Sequence, residues 1–226
     1  MKEIQQTGQQ ETATAMSRRR FFGLAGGVAG AGLLLGTEGC KKGKDDNVDL
    51  GSGDNGILNY AYALEQVEAA FYTRVVLTPF NGMTAMEKDR LTEIRDHEVA
   101  HREFFKAALA GAAIRELDLN FGSIDFKDRD SVLGAARKFE DLGVSAYNGA
   151  GKLFSSPDYL LLAGKIVSVE ARHAAYIRDI ANYGTFAGND VIDINGLEIS
   201  RSPAAVMAIL QPYLFSQLNI GGLPTS

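Results

Sequence analysis

The chain has 226 residues, 46% of them hydrophobic, with 23 Lys and Arg against 28 Asp and Glu and a net charge of −5. That length suits one domain with a sizeable core, and the acidic balance, with no basic patch, argues against nucleic acid as a partner. The single cysteine, Cys40, rules out an intrachain disulfide and argues against a thiolate zinc or iron–sulfur site.

Residues 1–40 read as an address rather than a fold. A polar start, Met1 to Ala15, leads into Ser17-Arg18-Arg19-Arg20-Phe21-Phe22 and an apolar run that ends at Gly36. The run is short and broken by glycines, which suits the apolar core of a signal peptide better than a membrane-spanning helix. Ser17, Arg18, Arg19, Phe21 and Phe22 resemble a twin-arginine export signal, which implies that the twin-arginine machinery exports the chain already folded. Cys40, right after Gly39, resembles the lipidated cysteine of a bacterial lipoprotein, although Thr37 stands where such signals usually carry Leu. The expected location is therefore the bacterial envelope, either periplasmic or anchored to the membrane by lipid on Cys40. Residues 41–54, rich in Gly, Asp, Asn and Lys, are expected to form a flexible tether. Without the four basic and three acidic residues before Cys40, 19 Lys and Arg and 25 Asp and Glu remain, a net charge near −6.

Four amphipathic segments follow, and together they predict an all-α fold. The first helix is expected from about Asn55, capped by Asp54 or Asn55, to Leu77, with the stripe Leu58, Ala61, Glu65, Glu68, Tyr72 and Val75. The second runs from about Ala85 to Ala112 behind the capping box Thr84-x-x-Glu87, with the stripe Leu91, Ile94, Glu98, His101, Phe105 and Ala108. Residues 113–129 lack a long period and read as a crossover lying over the bundle. The third helix spans about Asp130 or Ser131 to Phe154, with Val132, Ala136, Glu140, Gly143, Tyr147, Ala150 and Phe154 in line. The fourth begins at Ser156-Pro157 and stops near Tyr183-Gly184, with the stripe Tyr159, Ala163, Ile166, Glu170, His173, Ile177 and Ile180. Two hairpins joined by one long crossover, spanning 55–184, make a ferritin-like four-helix bundle. The segment 185–226 is expected to pack on it as an extension, with a small β-hairpin over Val191–Ser200 and a short helix from Ser202-Pro203 to about Gln211.

The chemistry lies in those stripes. Glu98 precedes His101 by three residues, and Glu170 precedes His173 by three, so each pair shares one helix face. A lone Glu on each of the other two helices, Glu65 and Glu140, completes two half-sites, and each is followed seven residues later by a tyrosine, Tyr72 and Tyr147. Unpaired carboxylates in an apolar stripe would be very costly. Two divalent metals balance four glutamates, and the oxygen and imidazole donors suit Fe or Mn, with Zn also within their range. Glu65 and Glu140 are expected as terminal ligands, Glu98 and Glu170 as bridging ligands, and His101 and His173 as one neutral nitrogen ligand to each metal. Glu68, one turn after Glu65, is its rival, and is expected beside the ligands in a supporting role. Glu65 is preferred because its spacing to Tyr72 repeats that of Glu140 to Tyr147. Tyr72 and Tyr147 are core aromatics placed to hydrogen-bond a ligand carboxylate, and His97 is expected at the helix edge in a supporting role.

Leu64-Glu65-Gln66-Val67-Glu68-Ala69-Ala70-Phe71-Tyr72, Asp96-His97-Glu98-Val99-Ala100-His101 and Val169-Glu170-Ala171-Arg172-His173-Ala174-Ala175 carry a resemblance. Over roughly residues 55–185 the chain resembles the ferritin-like superfamily, and within it an exported bacterial group allied to plant desiccation-associated proteins. The resemblance implies a four-helix bundle around two metals. It implies no single reaction, because the superfamily includes iron stores, oxidases, peroxidases and catalases. The main expectation is a di-iron or di-manganese oxidoreductase reacting with O2, peroxide or Fe(II). The alternative is a non-enzymatic stress or desiccation-associated structural protein, and an iron-storing shell is a weaker third reading. A homodimer is compatible with all of them.

Overall fold

The structure is a computed structural model that describes residues 47–225. Arg18, Arg19 and Cys40, with the first part of the expected tether, lie outside the described residues.

Four long helices dominate: α1 Gly53–Leu77, α2 Ala85–Leu109, α3 Arg129–Ala150 and α4 Pro157–Ala181. α1 packs on α2 and α3 on α4 as hairpins, with α1 also against α3, which is the ferritin-like arrangement. The stripes set these pairings. α4 buries a single face, Ala163, Ile166, Glu170, His173, Ala174, Ile177 and Arg178. α1 is buried nearly all round from Gly56 to Phe71, because the crossover and the tail cover the side that its partner helices leave open.

The helix ends follow local chemistry. Thr84 accepts from the Glu87 amide while the Glu87 carboxylate accepts from the Thr84 amide, so the expected capping box is present. α2 ends at Leu109 rather than Ala112, because Ala110 adopts φ +47° and starts a tight 3-10 turn. At this end Leu109 is buried and Ala108 exposed, the reverse of the expected stripe. The start of α1 also differs from expectation. Ser52 holds the N-cap position, and Asp54 instead accepts from the Ser155 and Ser156 amides, tying α1 to the α3–α4 link. α3 starts at Arg129, with the Asp128 carboxylate accepting from the Ser131 amide.

The crossover lies on the α1–α3 face. Leu117, Phe121, Ile124 and Phe126 are buried, and Phe71 meets Phe121, Phe126 and Phe139 with ring centres 5.1–6.0 Å apart. Two buried amide side chains on α1 fasten it. Asn59 donates to the Leu50 and Ala112 carbonyls and accepts from the Ile114 amide, and Gln66 accepts from the Leu117 amide. Polar residues there satisfy loop backbone that would otherwise be buried without partners.

The expected tether is not free along its whole length. Asn47–Asp49 forms strand β1, paired in parallel with β2, Gln217–Asn219, and Val48 and Leu50 enter the core. The C-terminal tail is therefore tied to the residues just ahead of α1. Helix α5, Pro203–Leu210, lies against α3. Gly149 makes this approach possible, since a Cβ there would stand 1.8 Å from the Arg201 carbonyl oxygen. The expected hairpin over Val191–Ser200 reduces to one bridge, Ile192 with Glu198. The Asp193 carboxylate accepts from the Asn195 and Leu197 amides, so a side chain supplies bonds that a ladder would make.

Candidate metal centre

The four helices carry six donors to the middle of the bundle. α1 brings Glu65, α2 brings Glu98 and His101, α3 brings Glu140, and α4 brings Glu170 and His173. Each sits in an apolar stripe, so packing the stripes forces the donors together. All four glutamates are fully buried.

The donors form two overlapping groups whose ligand atoms lie within 4.8 Å of one another: Glu65, Glu98, His101 and Glu170, and Glu98, Glu140, Glu170 and His173. Glu98 and Glu170 belong to both. His101 Nδ1 lies 2.7 Å from Glu170 Oε1 and 3.5 Å from Glu65 Oε2. His173 Nδ1 lies 2.7 Å from Glu98 Oε1 and 3.5 Å from Glu170 Oε2. Although these contacts are close, the nitrogens and oxygens do not meet in hydrogen-bond alignment. Both Nδ1 atoms, both oxygens of Glu98 and of Glu170, and Oε2 of Glu65 and of Glu140 are buried without a hydrogen-bond partner. Lone pairs that converge on common points without satisfying one another are what a cation requires.

The tyrosines hold the remaining oxygens, in a crossed pattern. Tyr72 on α1 donates to Glu140 Oε1 on α3 at 2.5 Å, and Tyr147 on α3 donates to Glu65 Oε1 on α1. Each tyrosine thus serves the glutamate of the other hairpin rather than the one two turns away on its own helix. His97 is exposed at the edge of α2, and its Nδ1 lies 3.0 Å from His173 Nε2, with the rings 9° from parallel. That contact turns His173 Nδ1 inward. Glu68 is buried but belongs to neither donor group.

The electrostatics describe a centre that holds protons when it holds no metal. Burial, then the neighbouring carboxylates, raises the pKa of Glu65 and of Glu68 well above the ordinary range. Glu140 is likewise raised well above that range, by burial first and against the pull of His173. Burial pushes Glu98 up as well, but the flanking imidazoles of His101 and His173 outweigh it and bring Glu98 down to about 2. Burial disfavours both imidazolium ions, yet Glu170 and Glu98 raise His173 to about 11, and Glu170, Glu65 and Glu98 raise His101 well above its usual value. Protons thus occupy the positive role among these carboxylates.

The ferritin-like domain family matches residues 53–183, more than half of the chain, and the chain belongs to that family. Among curated proteins, none matches it.

Proposed function

We propose that this chain is a dinuclear-metal carboxylate protein of the bacterial envelope, with iron or manganese as its metal, that reacts with O2, peroxide or Fe(II). One observation carries the reading: two donor groups, buried at the middle of the bundle, that share Glu98 and Glu170. Glu98 and Glu170 would bridge the metals, Glu65 and His101 would hold one, and Glu140 and His173 the other. When bound, the metal pair would supply electron transfer at a site shielded from bulk water.

The chain's own residues prepare that site. Four carboxylates offset two divalent charges in a low-dielectric interior. Tyr72 and Tyr147 each fix one oxygen of a terminal glutamate and leave the other directed at the centre. With metal bound, His97 Nδ1 would accept from His173 Nε2–H, 3.0 Å away, leaving the Nδ1 lone pair of His173 for the metal. His97 is also the outer end of a contact from the centre to solvent.

The envelope location rests on Arg18 and Arg19 as an export signal and on Cys40 as a lipid acceptor. Among the described residues no helix is long and apolar enough to cross a membrane. A lipid on Cys40 would anchor the domain that follows it. Mass spectrometry of the membrane fraction would detect the lipid on Cys40.

Metal content of the purified protein tests the centre, after anaerobic loading with Fe(II) or Mn(II). The expected result is about two metals per chain. Glu98→Ala and Glu170→Ala should each lose both metals, whereas Glu65→Ala and Glu140→Ala should each weaken only one. No tight metal under any loading would overturn the oxidoreductase reading and leave a structural stress protein in its place.

A further inference from the structure

Around the centre, α1 and α3 carry the same glutamate–tyrosine pair at the same spacing. Glu65 matches Glu140, Tyr72 matches Tyr147, and each tyrosine donates to the opposite glutamate. One turn after the glutamate the two helices differ in a way that matters to the site. Three residues after Glu65 stands Glu68, and three residues after Glu140 stands Gly143. These two positions face each other. Glu68 Oε1 lies 2.9 Å from the point a Cβ on Gly143 would occupy, so any side chain at 143 would displace this carboxylate. The glycine is helical with an ordinary φ, so no backbone strain calls for it. Its use here is the space it leaves.

What fills that space is a fifth carboxylate. Glu68 is 2% exposed, and its Oε2 is buried without any hydrogen-bond partner. Among the described residues no Lys or Arg forms an ion pair with it, and burial beside the other carboxylates favours its protonated form when no metal is bound. A buried carboxylate with no partner is costly, and a structural role would have been filled better by an apolar residue. Glu68 stands one helical turn from Glu65 on the face of α1 that carries the donors, which leaves the metal pair as its natural partner.

We propose that Glu68 is a seventh protein ligand of the metal pair, a fifth carboxylate admitted by Gly143 that raises the charge of the centre from −4 to −5 and so favours a pair containing a trivalent ion. The inference rests on the reading of the other six donors as a metal centre. Five carboxylates offset one divalent and one trivalent cation, and attraction to an added negative charge grows with the charge of the cation.

The test is cation binding to the whole protein, using Mn(II) and redox-inert Ga(III) supplied as citrate, in wild type, Glu68→Gln and Gly143→Ala. The expected result is that Glu68→Gln still takes up two Mn(II), which also shows that it folds. Its loss of Ga(III) affinity should exceed any loss of Mn(II) affinity by about tenfold or more. Gly143→Ala, whose Cβ pushes the carboxylate away, should shift in the same direction, and it decides the matter if Glu68→Gln does not fold. Equal weakening of both cations, or no change for either, would overturn the role of Glu68. Failure of wild type to bind Mn(II) would instead overturn the metal centre itself, a result visible without any variant.

Discussion

Tyr72 and Tyr147 show how much a single hydrogen bond decides at this centre. Among the described residues each hydroxyl is the one donor hydrogen-bonded to its glutamate, and each glutamate is fully buried. Replacing either tyrosine by phenylalanine leaves a buried carboxyl oxygen without its donor, a loss of about 1–2 kcal/mol. Urea unfolding of the metal-free protein should show it as a lower midpoint at unchanged slope for Tyr72→Phe and for Tyr147→Phe. An unchanged midpoint would mean that water replaces the hydroxyl and that the site is wetter than its burial indicates. The six donors were legible in the sequence because Glu-x-x-His in an apolar stripe is out of place on any face other than one that meets a partner. The crossed pairing was not legible, since spacing along one helix says nothing of which glutamate on another helix a hydroxyl reaches. The same limit hid the contact between His97 and His173, and the facing of Glu68 by Gly143.

At the scale of elements, the helices were legible because periodic apolar stripes and the Thr84 capping box are local signals. The pairing of β1 with β2 was not. Three-residue strands carry no readable period, and their partners lie at opposite ends of the described chain. Arg178 escaped for a related reason: it directly follows Ile177 of the buried stripe, where a basic residue would ordinarily reach out to solvent. It is 1% exposed. Its Nη1 donates to Asp141 Oδ2 at 2.6 Å, its Nη2 to Asp190, and its Nε to the Thr185 carbonyl at 2.9 Å. One guanidinium thus binds α4 to α3 and to the loop that opens the C-terminal extension. Arg178→Met keeps most of the volume but leaves Asp141 only the longer contact to Arg137, at 3.6 Å, and removing one member of a buried pair costs about 3 kcal/mol. Chemical denaturation should register that loss, while the two-metal stoichiometry persists because none of these contacts touches the centre. A near-neutral effect would place the strength of the α3–α4 hairpin in its apolar stripe alone.

For the molecule as a whole, five buried glutamates at the centre of a four-helix bundle make folding and charge one problem, which protons or metal can solve. In the metal-free protein the folded-state pKa values of His101 and His173 are raised. The stability they contribute is complete below the unfolded value of about 6.5 and is lost as pH rises. For His173 the loss extends toward about 11. Glu65, Glu68 and Glu140 act in the same direction, since each holds its proton in the folded state at pH values where the unfolded chain has released it. Glu98 opposes them only in acid, where its contribution fades as pH falls toward about 2. Across the neutral range the folded metal-free chain therefore binds more protons than the unfolded chain, and its stability falls as pH rises. Calorimetry should show a lower Tm at about pH 9 than at about pH 6, with a flatter slope in the His101→Gln/His173→Gln double variant. Metal must displace those protons to bind, so Mn(II) should release protons into weakly buffered solution and bind more tightly at higher pH. The gain in Tm on adding Mn(II) should accordingly be larger at about pH 8 than at about pH 6. A metal-free Tm that does not vary with pH, or an equal gain at both values, would show that the carboxylates are neutralised by something other than protons and metal.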